Sequence, residues 1–228
     1  AVFPYLTATY TENNTIKYTE HIQKTIQRIL FFTIPAMIGV MVLAKPLVEL
    51  ILTGGEFNQS AATLTTAILF YFGLSIPFEG IVHILARAFY ARQNTLTPMI
   101  INISSMLVIA LITIYVAPIY GAQWFSIGFT IGFAFQVILL AIFLRKKLEQ
   151  FEVKNFLASI SKTVISSGLM LIVILLLVPL RGHLHSAIVT AIQIIIGAGA
   201  FFMAAIALKS QEVSSVNYII NRLIKKNV

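Results

Sequence analysis

The chain has 228 residues, 58% of them hydrophobic and 11% charged, with a mean hydropathy of +0.91 and a formal net charge of +8. A soluble domain of this length cannot keep so much apolar surface from water, so the composition excludes one and specifies a protein that sits in lipid. No cysteine is present, which excludes a disulfide framework and thiolate-bound metal. The long apolar runs lack the in/out alternation of a barrel strand and leave an all-α polytopic membrane fold.

A span needs roughly 20 apolar residues, and six stretches supply them. Residues 1–23 open with AVFPYLTATYTENN and read as the end of a preceding helix and a cytoplasmic loop, leading into an amphipathic stretch at Thr15–Arg28. Without a basic n-region this is no signal peptide, and it suits a piece cut from a longer membrane protein. The first predicted span, Lys24–Leu52, contains Pro35, Gly39 and Pro46 and carries Lys45 and Glu49 at i, i+4 near its outer end. An exposed pair of that kind contributes little. An external turn, Thr53-Gly54-Gly55-Glu56-Phe57, follows.

The second predicted span, Ala61–Ala91, is uncharged as far as Phe78, with Pro77, Gly73 and Gly80 as sites of bending or close approach. It then presents Glu79, His83 and Arg87 at i, i+4, i+8, on one helical face. The block Ile84–Pro98, ILARAFYARQNTLTP, marks a membrane interface: Arg87 and Arg92 stand where the helix leaves the bilayer, and Thr97-Pro98 reads as N-cap and first-turn proline of the third span. Met99–Leu144 contains no Lys, Arg, Asp or Glu and holds the third and fourth spans, Pro98–Ala117 and Gln123–Lys147, which complete a four-span lobe over residues 24–147.

Residues 148–161 read as a cytoplasmic linker, and Lys162–Leu180 and Ser186–Lys209 as a two-helix segment, 162–209, joined by the outer loop LRGHLH. The tail, 210–228, places Val216, Tyr218, Ile219, Ile220, Leu223 and Ile224 among basic residues and suits a helix lying on the inner leaflet. Of the sixteen Lys and Arg, all but Lys45 and Arg181 fall on one side of these six spans. The positive-inside rule makes that side cytoplasmic, and with it both ends of the segment. The positive charge faces anionic membrane lipids, which leaves no support for a nucleic-acid partner.

All eight acidic residues are glutamates, so the aspartate clusters that hold magnesium on prenyl diphosphates are missing. There is no Ser/His/acid set at one membrane depth, no phosphate-binding glycine loop and no HExxH. His183 and His185 make an incomplete metal site and read as a plain loop. The residues therefore predict no catalytic centre, no metal, no cofactor and no enzyme. Glu79, His83 and Arg87 are the candidates for substrate contact or coupling. Two readings fit them: snorkelling towards headgroups with Glu79 paired to a neighbour, or the wall of a hydrated cavity that contacts a polar headgroup or takes up protons.

The stretches FPYLT (Phe3–Thr7), TIPAMIGVMVLAKPLVELILTGGEFNQSA (Thr33–Ala61), YFGLSIP (Tyr71–Pro77) and ARAFYARQNTLTP (Ala86–Pro98), with PIYG at Pro118–Gly121, resemble the C-terminal half of the MurJ/MviN family. These are the lipid II flippases of the multidrug/oligosaccharidyl-lipid/polysaccharide exporter superfamily. Arg87, Phe89, Tyr90, Asn94, Thr95, Thr97 and Pro98 carry the family motif.

The resemblance implies the end of the eighth and the ninth to fourteenth helices of a fourteen-helix transporter of the bacterial inner membrane. Such a protein moves an undecaprenyl-linked peptidoglycan precursor outward by alternating access, together with an N-terminal lobe that carries the cavity arginines. It also implies that the last two helices form a groove for the lipid tail, where Gly197 and Gly199 in the run Gly197–Ala200 would let the sixth helix approach its neighbour closely. Some members bind sodium through an Asn and an Asp one turn apart on the eleventh helix. Here Asn102 is followed by Met106, which speaks against sodium and leaves Asn102, Thr113 and Thr130 as polar contacts. An exporter of other lipid-linked sugars or drugs, and a non-transporting scaffold, are the alternative expectations.

Overall fold

The computed structural model describes residues 15–52, 59–145, 148–179 and 185–213. The external turn, Arg181, His183, the tail beyond Val213 and FPYLT lie outside the described residues. The elements in chain order are α1 (Thr15–Val42), α2 (Ala44–Leu52), α3 (Gln59–Gly73), α4 (Ile76–Ala91), α5 (Leu96–Leu111), a π-helical turn (Ile112–Val116), α6 (Ala117–Tyr120), α7 (Gln123–Arg145), α8 (Val153–Leu176) and α9 (Ser186–Ala207). Among the described residues five helical runs are long and apolar enough to cross a membrane, Leu96–Tyr120 from α5 to α6 counting as one, and α3 with α4, bent by 41°, supplies a sixth when the pair is taken as one broken span. The chain is a multi-pass membrane protein.

Two helices begin earlier than hydropathy places them. α1 starts at Thr15 rather than Lys24, and α8 at Val153 rather than Lys162. In both cases the extra turns mix charged and polar residues with apolar ones, Lys17, Glu20 and His21 in α1 and Lys154, Asn155, Ser159 and Ser161 in α8, so an apolar window misses them although the backbone ladder continues. α1 satisfies its polar residues inside the protein: Thr19, Gln23, Thr25 and Gln27 are all buried. Residues 153–161, predicted as linker, are thus helical.

Proline accounts for the breaks. Pro46 has no N–H to give the Val42 carbonyl, and α1 passes into α2 through Leu43, whose N–H still reaches the Gly39 carbonyl at 2.9 Å. Pro77 likewise leaves Gly73 without its helical partner. The chain tightens there into i→i−3 bonds, Leu74 to Tyr71 at 3.2 Å and Ser75 to Phe72 at 3.0 Å, before α4 resumes with Glu79 donating to Ser75 at 3.0 Å. Gly73 and Gly80 let the bent span lie against α1: a Cβ would come within 2.9 Å of Met41 Cγ at the first and 2.7 Å of Ile29 Cγ2 at the second. Gly39, expected to act the same way, faces open space.

In lipid, acyl chains solvate a leucine as well as a protein core does, so helix association rests on close approach and on hydrogen bonding. The first unit, residues 1–152, follows that logic. α7 buries Gly128, Gly132, Gln136, Leu140 and Leu144, one every turn. At Gly132 a Cβ would stand 2.3 Å from Ile109 Cγ1, and Ser105 Oγ donates to the Gly132 carbonyl at 2.7 Å. The second unit, residues 153–228, pairs α8 with α9 along Thr163, Ser166, Ser167, Met170 and Ile174 on one side and Val189, Thr190, Gln193, Gly197, Phe201 and Ala205 on the other.

Candidate functional site

The motif at the end of α4 is first of all a turn built to reverse the chain at the membrane surface. Arg92 ends the helix, Gln93 takes a left-handed φ of 57°, the Gln93 N–H donates to Tyr90 at 2.9 Å and the Asn94 N–H reaches back to Phe89 at 3.1 Å. This pair of bonds satisfies carbonyls that the helix end would otherwise orphan. Asn94 then starts α5: its Oδ1 accepts the Thr97 N–H at 3.1 Å and its Nδ2 donates to Thr97 Oγ1 at 3.0 Å. The capping side chain is therefore Asn94, not Thr97 as the sequence suggested. α5 begins at Leu96, with Thr95 accepting from Met99 at 3.3 Å and Pro98 buried in the first turn.

Other motif positions pack or face outward. Ala88, Phe89 and Ala91 are buried, while Arg87 and Tyr90 are exposed. Arg92 lies over the ring of Tyr18, 5.8 Å from its centroid, a cation–π arrangement. Tyr18 was not among the expected functional residues, although it is 1% exposed and donates its hydroxyl to the Ala88 carbonyl at 2.6 Å. Its i, i+4 relation to Ile22 and Ile26, both buried, is the signal that could have marked it as an inward-facing residue.

Glu79, His83 and Arg87 do share one face of α4, the face left over when Val82, Leu85, Ala88 and Phe89 pack inward. Glu79 is half-buried, and His83 and Arg87 are exposed. Among the described residues the three form no ion pair or hydrogen bond with one another. A stripe of ionisable groups left uncovered on a membrane helix calls for water or further protein against it. Lys45 and Glu49 do pair, at 3.8 Å, on the surface.

A cleft of about 450 Å³ opens between α5 and α7, walled by Phe125, Phe129 and Phe133 and carrying Asn102, Ser105, Thr113 and Gln136. Asn102 Oδ1 accepts from Gln136 Nε2 at 3.4 Å, and Thr113 Oγ1 is buried without a partner. Thr130 lies outside the cleft lining and donates to Tyr71 and Ser126 at 3.4 and 3.3 Å. The cleft offers amide and hydroxyl oxygens but no carboxylate, and the position one turn after Asn102 holds the soft Met106 thioether in place of an acidic ligand. The residues present do not fit the sodium site of the resembled family.

In the second unit the two glycines part company. A Cβ on Gly197 would stand 2.9 Å from Ile174 Cγ1, whereas Gly199 faces open space. Gly197 therefore sets the approach of α9 to α8, and filling Gly199 would not part them, contrary to what the small-residue run suggested. The α8–α9 seam is also more polar than its hydropathy implied. Gln193, fully buried, donates to the Ile174 carbonyl at 3.1 Å, and Thr163, Ser166 and Ser167 are buried along α8.

Comparison with known proteins agrees with this architecture. The family profile described as "Lipid II flippase MurJ" matches residues 1–208. A protein of Thermosipho africanus named lipid II flippase MurJ is 29% identical over 164 residues, 72% of this chain and 33% of that protein. One of Thermotoga maritima named probable lipid II flippase MurJ is 25% identical over 200 residues, 87% of this chain and 40% of that protein. A solved structure of lipid II flippase MurJ in an inward closed conformation superposes with a TM-score of 0.73 at 25% identity, covering 92% of this chain and 43% of the other. The chain thus spans well under half the length of these relatives, and within that span it belongs to the lipid II flippase MurJ family.

Proposed function

We propose that this chain is the C-terminal part of a transporter that carries undecaprenyl-linked peptidoglycan precursor, lipid II, from the inner to the outer leaflet of a bacterial inner membrane by alternating access. The observation that carries the reading is the family match over residues 1–208. The bent spans suit rocking of one helix bundle against another. The basic residues, gathered on one side of the spans, support an orientation with both ends of the segment cytoplasmic.

In this reading the uncovered face of α4 turns towards the part of the transporter that the chain does not span, and Glu79, His83 and Arg87 line the polar path with Arg87 nearest the headgroup phosphates. Arginine suits that role because its planar fork binds phosphate oxygens in pairs. Glu79, deeper in the span, balances the cation when substrate is absent. Gly197 holds α9 against α8 as the two-helix unit that receives the lipid tail. The chain's own chemistry is binding and movement, with no covalent step.

The test is complementation. The full-length protein, expressed in a bacterium depleted of its own lipid II flippase, should restore growth and external exposure of lipid II. Normal membrane levels without either effect would contradict the assignment.

A further inference from the structure

α1 buries polar side chains in its first three turns, and two of them hold a distant piece of backbone. Gln23, 6% exposed, grips Glu152 twice: its Nε2 donates to the Glu152 carbonyl at 3.1 Å and its Oε1 accepts the Glu152 N–H at 3.1 Å. One turn earlier Thr19, 1% exposed, accepts the Glu149 N–H at 3.2 Å while donating to the Thr15 carbonyl at 2.9 Å. The residues joined are 129 and 130 positions apart. Between the two gripped residues Gln150 has a φ of 53°, a left-handed bend that turns both amides towards one face of α1.

Leu148–Glu152 lies between α7 and α8 and belongs to neither helix, so its backbone groups must find partners elsewhere. Thr19 and Gln23, at i, i+4, provide them in the way a neighbouring strand would. The division of the chain into two units falls immediately afterwards, between Glu152 and Val153.

We propose that Gln23, assisted by Thr19, is a positioning residue that makes Leu148–Glu152 a fixed part of the four-span unit. The role in a transport cycle rests on the flippase reading: the strap stays closed throughout. The fixed strap itself does not depend on what is transported.

The experiment has two arms, both on the full-length protein in lipid nanodiscs. In hydrogen exchange, the Glu149 and Glu152 amides should exchange slowly in the wild type. Gln23→Met, which keeps the shape and removes both bonds, should speed Glu152 by about tenfold or more, and Thr19→Val should speed Glu149 alone and serves if Gln23→Met does not fold. Exchange of both wild-type amides at the rate of an open loop would overturn the proposal whatever the transport result. In the second arm, Gln23→Cys and Glu152→Cys are joined by a short bifunctional thiol reagent in a background cleared of other cysteines, to which this chain contributes none. Transport by the bridged protein within about twofold of the wild type supports a strap that never opens. Bridging that stops transport overturns it.

Discussion

The hydroxyl of Tyr18 donates to the carbonyl of Ala88 at 2.6 Å and so ties the first turns of α1 to the last turn of α4. At that point the helix has begun to close its end: the Arg92 N–H turns to Phe89 at 3.0 Å, and the Tyr18 hydroxyl serves the Ala88 carbonyl in its stead. Arg92 then rests on the same tyrosine ring. One buried side chain thus supports both the backbone and the terminal cation of this helix end.

Tyr18→Phe keeps the ring and leaves the Ala88 carbonyl buried without its donor, a loss of about 1–3 kcal/mol. The thermal midpoint of the purified full-length protein should fall, while Tyr90→Phe, at an exposed position, should leave it unchanged. Equal midpoints for all three proteins would show that the Tyr18 bond does not bear on stability.

Asn94→Ala should cost about 1 kcal/mol by removing the cap of α5, and Asn94→Asp should retain most of it, since the accepting oxygen is kept. Gln93→Gly should act in the opposite direction, gaining roughly 1 kcal/mol at a φ of 57° where glycine is at no disadvantage. Denaturation midpoints of the three variants check the signs.

Gly197→Leu should separate α8 from α9 and weaken capture of a photoreactive undecaprenyl lipid, whereas Gly199→Leu should be silent in both respects, because only the first glycine touches Ile174. Crosslinking yield at matched membrane levels distinguishes them. Loss at Gly199 alone would reverse the assignment of faces.

Orientation is checked by cysteine labelling. An impermeant thiol reagent added to intact cells should modify Gly55→Cys and spare Asn94→Cys and Asn155→Cys, as the asymmetry of basic residues requires. Modification of Asn94→Cys from outside would invert the topology.

Six spans and the bend at Pro77 could be read from the chain because apolar length and a missing N–H are local properties. Starts at Thr15 and Val153 could not, because those turns carry enough charged and polar residues to fall outside an apolar window, and a partner such as Glu149 for Thr19 is far away in sequence. Gln23 and Glu152 are too far apart in sequence for any pattern to join them. The motif around Arg87 was visible as a block of residue types, but its division of labour was not. Asn94 and Phe89 build the turn, while Arg87 is left exposed beside His83 and below Glu79. Exposure of a helical face depends on which neighbours cover it, and that is decided by α1 and α7.

The most directly measurable part of the proposal is that the uncovered α4 face serves transport rather than packing. It is tested by the amount of lipid II reachable from outside in cells that depend on the full-length protein, comparing wild type with Glu79→Gln, Arg87→Ala and Lys45→Ala at equal membrane levels. Wild-type exposure is expected for Lys45→Ala and a loss of about tenfold or more for Glu79→Gln and Arg87→Ala, the scale that follows when a charged substrate contact is removed. Wild-type exposure in all three would contradict it.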